Sequence, residues 1–69
     1  MAHRYLVRSF IRDPKTGELR PGPSFSDDDP GEIGADFEDI KAKLHPGDVV
    51  EVWDGLLRQT LARHEVPGG

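Results

Sequence analysis

The side chains that could do chemistry in this sequence are few and scattered. His3, His45 and His64 fall at a strand start, a helix end and the last strand of the pattern set out below, and no stretch around them has metal-ligand spacing. Capping or turn roles account for them more simply. Ser9, Ser24 and Ser26 have no evident histidine partner that would activate a hydroxyl nucleophile. There is no cysteine, so disulfides, thiolate zinc sites and thiol nucleophiles are excluded. The acidic run invites a calcium reading and fails it. Counting from Asp27, Asp29 stands at the third loop position and Glu38 at the twelfth, but the fifth is Gly31 and the sixth, where glycine is needed, is Glu32. No glycine-rich phosphate loop with its lysine is present. Catalysis is therefore not expected of this chain, nor a bound cofactor or metal. What remains is the final pair Gly68-Gly69, which places a carboxylate at the end of a tail without side chains.

The elements that would position such groups can be read from pattern. Residues 3–12, HRYLVRSFIR, put Arg4, Arg8 and Arg12 on one parity and Tyr5, Val7, Ser9 and Ile11 on the other, as a strand with one face toward a core requires. Pro14 and Gly17 in DPKTGEL suit a hairpin turn closed by a left-handed residue. The returning strand lies within 18–26; Pro21 and Pro23 cannot donate to a ladder, so it is expected to be short, irregular and at an edge. Phe37, Ile40 and Leu44 form a helical stripe that Ile33 extends backwards. Two starts compete, Asp29-Pro30-Gly31-Glu32 and Asp36-Phe37-Glu38-Asp39. Gly31 and Gly34 each cost about 1 kcal/mol inside a helix, which favours the later one. His45-Pro46-Gly47 ends the helix.

DVVEVWD over 48–54 is a strand, and Asp54-Gly55 is a two-residue hairpin signal that pairs it with 56–66 and sets Glu51 opposite Arg58. Residues 56–66 also contain good helix formers, so a helix there is the alternative. The order is strand, strand, helix, strand, strand, tail, without internal repeats. One helix covers one sheet face. Tyr5, Val7, Ile11, Val50, Val52, Leu57 and Leu61 are expected beneath it with Ile33, Phe37, Ile40 and Leu44; Phe37→Ala would then cost about 3–5 kcal/mol. Leu6, Phe10, Val49, Trp53 and Leu56 are left on the opposite face among Arg4, Arg8, Arg12 and Arg58. That patch reads as a protein-binding surface unless the loop at 20–34 covers part of it.

The chain has 69 residues, enough for one small domain with marginal burial. Its net charge of −4 is unevenly distributed, with +3 over residues 1–23, −7 over 24–39 and balance thereafter. The run holding Asp27, Asp28 and Asp29 reads as a solvated loop and helix start, or as a docking surface for a basic partner, including an acidic mimic of DNA. The aromatic and basic sheet face is the kind of surface that stacks single-stranded RNA, but the acidic balance argues against nucleic acid as a partner. No apolar run approaches a membrane span, and MAHRYLVRSF lacks the apolar stretch of a signal peptide, so a soluble cytoplasmic protein is expected, with no membrane partner.

The order of elements and the terminal glycines together resemble the ubiquitin-like β-grasp family. YLVRSF (5–10) is similar to its first strand, TGEL (16–19) to its first turn, EDIKAKL (38–44) to its helix, VEVWDG (50–55) to the following strand and turn, and QTLARHEVPGG (59–69) to its last strand and tail. PGDVVEV and VPGG also resemble pieces of small sulfur carriers. The chain departs from the family in a shortened connection after Gly55, in Pro67 before the glycines and in a longer acidic loop from Pro21 to Gly34. Glu51 also stands where the family has an inward apolar residue. The resemblance implies an α+β single domain over residues 1–66 with a β-β-α-β-β mixed sheet, first and last strands parallel at its centre, one helix on one face, and 67–69 as a flexible tail. It also implies a protein modifier or sulfur carrier rather than an enzyme. An activating enzyme would adenylate Gly69 with ATP and magnesium and pass the acyl group to a thiol or replace it by sulfur, with Gly68 needed to thread the active-site channel. Leu6, Phe10, Trp53 and Arg8 would supply recognition. The alternative is a non-catalytic binding module or inhibitor acting through the sheet face or through Asp27–Asp29, as a monomer or weak homodimer.

Overall fold

The structure, a computed structural model, describes residues 3–68. The chain forms β1 (Tyr5–Arg12), β2 (Leu19–Asp27), α1 (Pro30–Lys43), β3 (Val49–Asp54) and β4 (Gln59–Glu65). The domain is α+β, with one four-stranded sheet and one helix, and residues 56–66 form a strand rather than a helix. The sheet order is β2-β1-β3-β4 and every ladder is antiparallel. This corrects the mixed sheet. The first and last strands do not pair, because β1 pairs with β3 over Tyr5–Phe10 and β4 folds back onto the far side of β3.

The first turn forms as its residues require. Gly17 takes φ 76° and donates its amide to Asp13 O at 2.8 Å, while the Asp13 amide donates to Glu18 O at 2.8 Å. β2 runs for nine residues, longer than its prolines led one to expect. The ladder shifts register between Arg8 and Phe10, and the Ser9 hydroxyl, inside the sheet, donates to Pro23 O at 2.6 Å. A side chain thus supplies a link where the irregular strand departs from its partner. Gly22 is what allows the approach, since a Cβ there would stand 2.7 Å from Ser9 Oγ and 2.9 Å from Ile11 Cγ1. Gly22→Ala should therefore lower stability by about 1–3 kcal/mol, as overpacking does; urea denaturation of the variant beside wild type measures it.

The helix takes the earlier of its two starts. Asp29 is the N-cap, its carboxylate accepting from Gly31 N at 2.9 Å, with Pro30 in the first turn. Ile33 is buried on that first turn and packs into the core, which offsets the local cost of Gly31 and Gly34. The helix ends before His45-Pro46 as expected. The core comprises Val7, Ile33, Ile40, Val50 and Val52, with Tyr5, Phe37 and Leu44 packed against it. Ile11, Leu57 and Leu61, expected beneath the helix, are exposed. The helix packs mainly on β1, β2 and β3, so Leu61 on β4 stands at its flank, bordering an open groove with Ile33, Phe37 and Val52, and Leu57 belongs to a loop.

That loop replaces the expected two-residue turn. Asp54 pairs with Gln59, so Gly55–Arg58 form the connection, with Arg58 at φ 54°. Glu51 consequently opposes Arg63 on β4 and Arg8 on β1, not Arg58. The cause is Asp54, whose buried carboxylate accepts from the amides of Leu56 at 2.9 Å and Leu57 at 3.2 Å. An aspartate whose side chain organises the next three residues caps a wider loop.

Candidate functional site: the open sheet face

Alternation along β1 and β3 sends Leu6, Arg8, Phe10, Val49, Glu51 and Trp53 to the face away from the helix. The segment at 20–34 does not cover this face, because residues 19–27 are strand β2 at the sheet edge and α1, from Pro30, packs on the other face. The register arranges it in rows across the sheet. Leu6 stands beside Trp53, Arg8 beside Glu51, and Phe10 beside Val49. Leu6, Phe10 and Trp53 are half-buried, whereas Val49 is buried among its neighbours. Leu56 lies in the loop after β3 and is 70% exposed, so it is not part of the rows.

Charged side chains hold the face in place. The Arg8 guanidinium pairs with Glu51 and lies over the Trp53 ring, 5.5 Å from its centre. Arg12 donates from Nε to Gly47 O at 3.0 Å and from Nη1 to Gly17 O at 2.7 Å, and approaches Glu65 at 3.9 Å. Arg4 closes the other end of the same seam. Its guanidinium spans both oxygens of Asp54, with Nε at 3.3 Å from each and Nη2 at 3.0 Å from Oδ2. These hydrogen bonds first, and then the Leu57 and Leu56 amides, hold the Asp54 carboxyl below its usual range against the opposing effect of burial. Arg4, which precedes β1, and Arg8 and Arg12 within it thus all reach across to β3 or its ends.

Asp27, Asp28 and Asp29 stand where β2 enters the helix, and each is engaged locally. Asp27 Oδ1 accepts from Asp29 N at 2.9 Å, Asp28 Oδ1 from Arg4 N at 2.7 Å, and Asp29 caps the helix. His3 Nδ1 lies 3.3 Å from Asp28 Oδ2. The Arg4 amide and then His3 hold the Asp28 carboxyl below its ordinary value. These three residues and the sheet rows are not brought together into one site. Gly68 lies exposed beyond β4, and Gly69 falls outside the described residues.

Two aspartates carry more structure than sequence reasoning assigned them. Asp48 and Asp54 are 2% and 1% exposed. Asp48 accepts from Arg12 N at 3.0 Å and His45 N at 2.9 Å, which fixes the helix-to-strand connection. The signal was an apolar strand bracketed by aspartates, facing a strand bracketed by Arg4 and Arg12. Among the described residues no three of His, Asp and Glu gather as metal ligands, and no helix is long and apolar enough to cross a membrane. Comparison with protein-family models, with curated proteins and with solved structures gave no match.

Proposed function

We propose that the domain is a protein-binding module that docks its partner on the open sheet face. The observation that carries this reading is the row arrangement of Leu6, Phe10 and Trp53 on a face that no strand or helix among the described residues covers, with Arg8 held against Trp53 by Glu51. Aromatic and arginine side chains fixed on a rigid sheet are the groups that dominate binding energy at protein interfaces. A standard interface removes about 800 Å² from each partner. That is roughly a sixth of the 4794 Å² this chain exposes, a share within reach of one side of a four-stranded sheet.

A second reading, a ubiquitin-like modifier or sulfur carrier activated at Gly69, draws on the β-β-α-β-β order and on Gly68, where among the described residues nothing but its chain neighbours comes within 4 Å of the place a Cβ would occupy. Two features weigh against it. β4 lies at the sheet edge rather than beside β1. The chain is also tied down as far as Val66, whose amide donates to Asp48 O at 2.9 Å and whose carbonyl accepts from Gly47 N at 2.9 Å. In that reading Pro67–Gly69 alone would have to reach an adenylating site, a span of about 10 Å at full extension.

One experiment separates the readings. Tagged wild type, Trp53→Ala and a chain lacking Gly68 and Gly69 are used to capture partners from the source cells, and the captured protein is then titrated. Trp53→Ala should weaken the complex roughly 30-fold or more while circular dichroism shows a folded chain, and the shortened chain should bind as wild type does. The opposite result, with binding lost on tail deletion and retained in Trp53→Ala, favours activation at Gly69. A mass gain at Gly69 after incubation with an adenylating enzyme and ATP would then identify the chemistry.

A further inference from the structure

The two edges of the sheet are not equivalent. β2 contains Pro21 and Pro23 and breaks register, so another strand would find an interrupted row of donors there. β4 contains no proline, and six of its seven residues are exposed. The helix packs on the other three strands and leaves β4 largely uncovered. Val66 directs both its amide and its carbonyl inward, to Asp48 and Gly47. The alternation of an antiparallel ladder then turns the backbone groups of Arg63 and Glu65 outward, toward the free edge.

We infer that β4 pairs with β4 of a second copy of this chain, antiparallel about a two-fold axis at His64, so that Arg63 of each copy stands opposite Glu65 of the other. Charge complementarity selects both this occupant and this register. An axis at Arg63 would set two guanidinium groups against each other, and an axis at Ala62 would set Arg63 against Leu61. Only the axis at His64 gives two opposite-charge cross-strand pairs. Within one chain Arg63 approaches Glu65 at 3.7 Å and Arg12 approaches it at 3.9 Å, and the side chains of Arg63 and Glu65 are each 52% exposed, so both remain open to a second partner.

The long-range charge agrees. Asp27 lies on β2, the edge opposite β4, and pairs with Tyr5 at the end of the sheet where β3 closes on Asp54, whereas His64 pairs with Val50 toward the other end. The two acidic runs therefore lie at opposite extremes of the pair. Because the axis is perpendicular to the sheet, eight strands become continuous and both open faces lie on one side. This inference does not depend on what docks there.

Sedimentation equilibrium of the full chain from micromolar to millimolar concentration tests it. The expected species is a reversible dimer of twice the 7.7 kDa chain mass. Arg63→Glu and Glu65→Arg should each raise the dissociation constant roughly tenfold or more. The double variant, and an equimolar mixture of the two single variants, should restore association. In wild type, amide exchange at Arg63 and Glu65 should slow as concentration rises, a readout that needs no variant to fold. A chain monomeric throughout, a dimer indifferent to the single reversals, no rescue by the swap, or unchanged exchange at those two amides would each overturn the proposal.

Discussion

Asp54→Asn is expected to lower the melting temperature at neutral pH more than any other polar substitution in the domain, and to flatten the acid limb of its stability curve. Asparagine keeps the shape and the oxygen that accepts from Leu56 and Leu57, so the change isolates the charge. That charge is buried and bridged by Arg4 through both oxygens. Removing it leaves the guanidinium facing a neutral amide. The sign of the pH effect follows from the carboxyl being held below its ordinary value in the folded chain. Its contribution is fully present above the unfolded value of about 3.9 and is lost as pH falls through the lower folded value. The gap between wild type and Asp54→Asn should therefore be widest near neutrality and close below about pH 4. Some acid sensitivity should persist in the variant, because Asp28 is shifted in the same direction. Thermal melts of both proteins across this range measure the effect. A gap that stays constant down to low pH would mean that the Arg4–Asp54 bridge contributes nothing through its charge.

Ile40→Ala should unfold a substantial fraction of the molecules at ambient temperature. Ile40 is 5% exposed and packs between the helix and the sheet within a core of five buried side chains. Deleting three carbons there costs about 2–5 kcal/mol, with the spread set by how far the surroundings can collapse. A chain of this size has about 3–10 kcal/mol of stability in total. Phe37→Ala, although it removes a larger side chain, should cost less than its usual value because Phe37 is only half-buried at the rim of the core. Urea denaturation of the two variants gives the order. A larger loss for Phe37→Ala would mean that the aromatic ring, not the Ile33–Ile40 stripe, anchors the helix.

The parts of this fold that sequence disclosed are those fixed by neighbours along the chain. Alternation in residues 5–12 and 49–54, the stripe of Ile33, Phe37 and Ile40, the Gly17 turn and the stop at His45-Pro46 each depend on local geometry, and each is present. Which strands lie side by side was not legible from that information. A strand order of β-β-α-β-β is compatible with β4 beside β1 or with β3 beside β1, and the choice rests on contacts between residues 35 to 50 positions apart. Arg4 with Asp54, Arg8 with Glu51 and Arg12 with Asp48 are such contacts. Glycine cost alone favours the later helix start, and the burial of Ile33, which only the tertiary structure supplies, reverses that preference. The candidate face was legible in Leu6, Phe10 and Trp53, since strand parity alone assigns them a common side.

The seam between β1 and β3 has a mechanical consequence. β1 and β4 are each antiparallel to β3, so they run in the same direction on either side of it. Residue 3 precedes the start of β1 at one end of the sheet, and Val66 follows the end of β4 at the other. Tension applied between these two points pulls along the strands. It loads both ladders, and the arginine bridges across the inner one, in shear, so that many bonds must yield together instead of opening one after another from an end. Whatever is tethered to the two ends of this chain would be joined through a stiff link.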